Sequence, residues 1–185
     1  MIRLVLVACA PTAATRRAAF PLDEPLDDKG LAEATALAPS LRKPDRALTS
    51  PALRARQTAA ALALDAVTAD ALRDFDCGGW AGATAAEIHA RDPRGFAAWL
   101  QDANATPHGG EPVARLLART RAWMRDLAAG DGRVIAVTHA PVIRAAIVTA
   151  LEAPFPAFWR IDVPPLGRVS LNADGDRWRL RAMES

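Results

Sequence analysis

Cysteines, long apolar runs and an imbalance of charge are all scarce in this 185-residue chain, and each scarcity removes a class of function. Two cysteines, Cys9 and Cys77, are too few for a scaffold held by disulfides. No apolar stretch approaches the roughly 18 residues of a membrane-spanning helix, so no membrane partner is expected. The formal net charge is only +2, and the arginines are scattered among Asp and Glu. A solvated mixed surface follows, and nucleic acid is not an expected partner. Cys77, His108 and His139 stand at none of the short spacings of a zinc site, so neither a metal nor another cofactor is expected. No internal repeat, low-complexity tract or linker interrupts the chain. Leu6-Val7-Ala8-Cys9 imitates the cleavage box of a bacterial lipoprotein. The apolar run before it has only about half the length such a leader needs. The expected location is therefore cytoplasmic, with reduced thiols.

What is present is an ordinary globular composition, 51% apolar and 24% charged, in a length suited to one domain over residues 1–185. Leu4 to Val7 is an unbroken apolar run that reads as a buried strand. It stops abruptly at Ala8-Cys9-Ala10, followed by Pro11 and Thr12. Residues 13–26 read as a loop. Asp27 or Asp28 caps a helix through Leu31, Ala34, Thr35 and Ala38, ended by Pro39. Ala47 to Thr49 is a short strand, after which Ser50 is the expected N-cap and Pro51 the first position of the helix SPALRARQTAAALAL. Gly78, Gly79 and Gly82 around Trp80 imply a tight loop with close backbone approach. Thr84 and Glu87 have the spacing of a capping box, and Asp92-Pro93 restarts a helix, giving a small helical insert at about 84–106. Val113, Leu116, Leu117, Thr120, Met124 and Leu127 recur at helical spacing. Arg133 to Val137 is the clearest strand, delivering Thr138-His139 before Pro141 opens the next helix. Ala157 to Met183 alternates as two or three strands, with a turn at residues 172–175.

In open α/β sheets, ligands bind beyond the carboxyl ends of the strands, which draws attention to Cys9, Arg54 and His139. Cys9 has three readings: a nucleophile activated by a cationic His139, a small buried hydrophobe, or a ligand needing company. Arg54 can lean back toward a helix N-terminus, where backbone N–H groups favour an anion; the alternative is a solvated surface arginine. His139 is a functional histidine or a core one. Asp74 is a proton donor or a carboxylate that satisfies loop N–H groups.

Several segments, in order, resemble one family. SPALRARQTA is similar to a Ser-x-x-x-Arg-Ala-x-Gln-Thr-Ala segment, and ALRDFDCGGWAG to Leu-x-Glu-x-x-x-Gly-x-Trp-x-Gly. Gly109-Gly110-Glu111 resembles a Gly-Gly-Glu-Ser turn, with Pro112 for the Ser. Thr138-His139 resembles a strand followed by Ser/Thr-His-Gly. The first strand and Thr12 resemble a strand ending in Arg-His-Gly with a nearby Thr, but Ala8, Cys9 and Ala10 stand there instead. These are marks of the histidine phosphatase superfamily, the phosphoglycerate-mutase-like proteins, over Leu4 to about Ala150. The resemblance implies a three-layer α/β/α sandwich with a mostly parallel central sheet. It implies that Cys9 holds the nucleophile position, that Arg54 binds phosphate and that His139 is the second catalytic histidine. Asp74 takes the place of the acid, with a reach about 1.5 Å shorter than Glu. Thr12, His108, and Arg16 or Arg17 in place of the charge missing at Ala8, are further candidates for substrate binding. Trp80, Phe96 and Trp99 either line the pocket or belong to the core, core being the first expectation.

In that family the first histidine attacks a phosphoryl group, and none stands at residue 9. Catalytic units tolerate piecemeal loss poorly. The leading expectation is therefore a pocket around Arg54 and His139 that holds a small phosphorylated or carboxylated ligand without turnover. The alternatives are a phosphatase or transferase using Cys9 with His139, Arg54 and Asp74, and a non-catalytic interaction protein.

Overall fold

A computed structural model describes residues 1–185. The apolar run near the start forms β1 (Ile2–Ala8), and a single helical turn, α1 (Ala13–Arg16), follows it. Next come α2 (Asp28–Leu37), β2 (Arg46–Thr49), α3 (Leu53–Ala61) and β3 (Ala66–Thr68). Two short helices, α4 (Ala85–Arg91) and α5 (Pro93–Gln101), precede the long α6 (Val113–Ala128). The chain closes with β4 (Gly132–Thr138), α7 (Ala140–Ala150), β5 (Arg168–Asp174) and β6 (Arg177–Glu184).

The six strands make one sheet in the order β3-β2-β4-β1-β5-β6. The first four in that order are parallel, and β5 and β6 add an antiparallel hairpin at one side. The sheet is thus mixed, with its site-bearing part parallel. Period-two alternation along β1 and β4 divides the core between two faces. Leu4, Leu6, Val134 and Ala136 pack with Leu116, Met124, Ile143 and Ile147 of α6 and α7. Val7, Ile135 and Val137 face the other way, onto Ala55, Ala59 and Leu62 of α3 and its end. Helices on both faces make the three layers of an α/β sandwich. Leu6 is wholly buried in the central strand, and Leu6→Ala is expected to lower the unfolding free energy by about 2–5 kcal/mol, readable by urea titration.

Local signals held at several termini and failed at others. Thr84 and Glu87 form the reciprocal capping box, and Asp27 caps α2 by accepting from Gly30 N. Ser50 is not the N-cap of α3: the helix begins at Leu53 after Ala52, and the Ser50 hydroxyl accepts from Ala52 N ahead of it and meets His139 Nε2. The loop expected at 13–26 contains α1, because the Thr12 hydroxyl caps it by accepting from Thr15 N. Phe155–Arg160 is a 3-10 turn, not a strand, and the hairpin turns at Gly175-Asp176, later than expected. Gly78 shows the close approach its loop implied. Its φ is +47°, and a Cβ there would lie 2.1 Å from His108 O.

Candidate active site

Strand register brings the site together. β1 and β4 run parallel with Ala8 opposite Thr138, so the next residues, Cys9 and His139, leave the sheet side by side. Cys9 N donates to Thr138 O at 2.8 Å, extending the ladder by one bond. β2 runs along the other side of β4 with Thr49 opposite Val137, which puts Ser50 beside His139. Three adjacent strand ends therefore deliver a thiol, an imidazole and a hydroxyl to one place, beyond the carboxyl edge of the sheet.

The contacts follow from that placement. Cys9 Sγ is 3.5 Å from His139 Nδ1, and His139 Nε2 is 2.8 Å from Ser50 Oγ. Asp74 Oδ2 stands 3.4 Å from the same Nδ1. Arg54, on the first turn of α3, pairs with Asp74 and donates to Leu22 O at 2.7 Å. Asp74 is held from behind: Phe75 N donates to its Oδ1, and Arg119 donates to its backbone carbonyl. Arg119 is itself fixed by both oxygens of the buried Glu111. The thiol, imidazole, carboxylate and guanidinium border a cavity of about 480 Å³. Its remaining walls are largely apolar, with Phe20, Phe75, Trp99, Phe158 and Trp159 among them.

Burial sets the charge states. It pushes the Cys9 thiol up to about 11, although the nearby Arg54 pulls the other way. It pushes His139 down to about 4 against the attraction of Asp74. The expected pair of cationic His139 and Cys9 thiolate is thus not the resting state. Desolvation outweighs charge pairing, and both groups are neutral near pH 7. Cys77, packed nearby in the core, is also pushed up by burial.

The shift on His139 makes stability depend on pH. Between pH 6.5 and about 4 the unfolded chain takes up a proton at this residue and the folded chain does not. Stability from this source is complete above pH 6.5 and is lost as pH falls toward 4. The shift corresponds to about 3 kcal/mol. His139→Asn is expected to flatten most of this acid limb in denaturant titrations between pH 4 and 7. His108, pushed down by burial in the same sense, leaves a remainder.

Of the sequence candidates, Cys9, His139, Asp74 and Arg54 come together, and three do not join them. Thr12 is fully buried and spends its hydroxyl as the cap of α1. Arg16 points to solvent and pairs with Asp27 and Glu33, so it does not replace a charge at Ala8. His108 is neither an exposed loop residue nor a cavity wall. It is buried edge-on against Phe75, Trp80 and Trp99, and accepts from Gly110 N at 2.8 Å. Trp99 lines the cavity, while Trp80 and Phe96 pack behind it. Ser50 and Arg144 were missed. A strand end level with two others was the signal for Ser50. A lone charge within the apolar helix VIRAAIVTAL was the signal for Arg144. Nowhere do three His, Cys, Asp or Glu side chains gather as a metal site. No helix is long and apolar enough to cross a membrane.

Known proteins extend these observations. A Mycobacterium tuberculosis protein named as bifunctional is 37% identical over 136 residues, covering 69% of this chain and 37% of that protein. The chain thus spans little more than a third of that relative. A Mycolicibacterium vanbaalenii glucosyl-3-phosphoglycerate phosphatase is 33% identical over 86% of this chain and 83% of its own. A solved mycobacterial glucosyl-3-phosphoglycerate phosphatase in complex with VO3 is 29% identical, superposing over 97% of this chain and 96% of its own at a TM-score of 0.86. Relatives named as phosphatases overturn the expectation of an anion pocket without turnover and favour the active alternative. The model of the histidine phosphatase superfamily (branch 1) matches residues 10–185. The chain belongs to that superfamily.

Proposed function

We propose that this protein is a phosphoric monoester hydrolase in which Cys9 is the nucleophile, with Ala8-Cys9-Ala10 standing where the family carries Arg-His-Gly. The observation that carries the reading is the 3.5 Å approach of Cys9 Sγ to His139 Nδ1 at the base of a cavity bordered by Arg54 and Asp74. The phosphatase relatives support the reaction class.

The reaction runs in two displacements. With His139 Nε2–H donating to Ser50, Nδ1 accepts the thiol proton as Sγ attacks phosphorus. The S–P bond forms and the ester P–O bond breaks. The proton, held between Nδ1 and Asp74, passes to the leaving oxygen. Water then attacks the phosphocysteine, giving a proton to Asp74 or His139 as the S–P bond breaks, and that proton returns to sulfur. The products are an alcohol and phosphate. The high thiol pKa makes thiolate scarce at rest but nucleophilic once formed, so transfer to His139 accompanies attack. Arg54 divides its guanidinium between Asp74 and the phosphoryl oxygens, and stabilises the charge they gather. A reducing, cytoplasmic setting keeps Cys9 a thiol, and the substrate is a small phosphorylated molecule.

Phosphate release from p-nitrophenyl phosphate and a panel of phosphate esters tests the class. Turnover by the wild type and a loss of about 10²–10³-fold in Arg54→Gln are expected. A folded wild type silent on the whole panel would remove the proposal.

A further inference from the structure

Asp74 stands where no ladder of bonds holds the chain. Residues 73–77 belong to no helix or strand, so nothing regular fixes where the carboxyl points. Carbonyls of this segment and of the turn before it are instead bonded one by one from behind. Arg119, on α6, donates from Nη1 to Ala71 O at 2.9 Å and from Nη2 to Asp74 O at 3.1 Å. Thr138 Oγ1 donates to Leu72 O at 2.8 Å, and Glu111 N donates to Asp76 O at 2.9 Å. Thr138 ends β4 directly before His139, so the segment carrying the acid is tied to the strand that delivers the histidine.

Arg119 is the centre of these bonds. Its Nε and Nη2 meet the two oxygens of Glu111 at 2.8 and 3.0 Å, deep enough that both side chains are largely out of solvent. Arg73 approaches the same carboxylate at 3.6 Å from the outer side. Neither Glu111 nor Arg119 lines the cavity. A buried ion pair adds little net stability, because desolvation of the two charges offsets most of their attraction. What this pair adds is direction: a planar fork fixed by a carboxylate aims its remaining N–H groups one way. Those groups end on the backbone of the residue that carries the acid. An aspartate magnifies the effect, having one rotatable bond fewer than glutamate, so its carboxyl follows its own backbone closely. A misplacement of about 1 Å at a reacting group can cost about 10²-fold in rate.

We propose that Glu111 and Arg119 are a positioning pair that holds Asp74 where it passes a proton to the leaving oxygen. The inference rests on the phosphatase reading and concerns departure of the alcohol alone. Both residues act through the Asp74 backbone and not on substrate.

The acidity of the leaving group provides the readout. p-Nitrophenolate departs without a proton, whereas the alkoxide of glycerol 2-phosphate needs one. Asp74→Asn sets the scale, with a loss of about 10²-fold in kcat/KM on glycerol 2-phosphate and a much smaller one on p-nitrophenyl phosphate. Arg119→Lys keeps the positive charge that faces His139 but not the fork, and Glu111→Gln keeps the shape but not the charge. Both are expected to lose tenfold or more on glycerol 2-phosphate and threefold or less on p-nitrophenyl phosphate, with folding confirmed by thermal melts. Added to Asp74→Asn, either substitution should cause no further loss. Equal losses on the two esters, or none on either in folded variants, overturn the positioning pair and leave the phosphatase reading intact. So does an Asp74→Asn variant without leaving-group bias, or a bias that adds in full to that of Asp74→Asn. A wild type silent on both esters defeats the phosphatase reading and the pair's role with it.

Discussion

Cys9→Ser is expected to abolish measurable phosphatase turnover, a loss of about 10³-fold or more, as when the nucleophile of a catalytic unit is removed. The substitution is nearly isosteric and keeps a hydroxyl within reach of His139, so folding and the cavity survive. What goes is the nucleophile: a serine hydroxyl gives up its proton far less readily than a thiol, and the base facing it is an imidazole held neutral by burial. Initial rates on p-nitrophenyl phosphate, with thermal melts of both proteins, provide the measurement. Activity within tenfold of the wild type would mean that sulfur takes no part.

The second large effect runs the other way. Ala8→Arg together with Cys9→His is expected to raise kcat/KM on simple phosphate esters by about 10²–10³-fold, the magnitude attached to one well-aimed donor at a developing charge. Ala8 closes β1 and borders the cavity, and its N–H and C=O are both bonded to the segment beside it, donating to Gly167 O and accepting from Leu166 N. A longer side chain there can enter the cavity without moving the strand. An arginine would add the bidentate phosphate clamp that Arg54, already engaged with Asp74, cannot supply alone. The histidine would occupy the nucleophile position beside His139. Kinetics of each single variant and of the pair separate the two contributions, since neighbouring groups rarely add. No gain in the folded double variant would mean that the surrounding groups are tuned to a thiol.

Much of the site was legible because it depends on strand ends. An apolar run that stops at a small or polar residue marks where a parallel strand delivers its next side chain, and both Cys9 and His139 were found that way. Ordered motif matches then added Arg54 and Asp74. The failures share a cause. Thr12 and Arg16 bound a single helical turn and His108 sits in a loop turn, where a residue's direction is set by tertiary contacts that no spacing encodes. The Thr12 hydroxyl went to a helix cap, Arg16 to Asp27, and His108 to an aromatic cluster. Ser50 was read as a cap because local rules favour that use, while the register of β2 on β4 gave it to His139. Charge state was the other misjudgement. Proximity suggested a thiolate–imidazolium pair, but depth of burial, invisible in sequence, decided against both charges. The leading functional expectation treated the absent histidine as the loss of catalysis, and relatives named as phosphatases overturn it.

Trapping the covalent intermediate tests the central claim most directly. The wild type would be mixed rapidly with p-nitrophenyl phosphate, quenched within a turnover, digested and mapped by mass spectrometry. The account predicts a phosphoryl group on the peptide carrying Cys9, absent from Cys9→Ser. A phosphoryl group on His139 or His108 in an enzyme that turns over would contradict it.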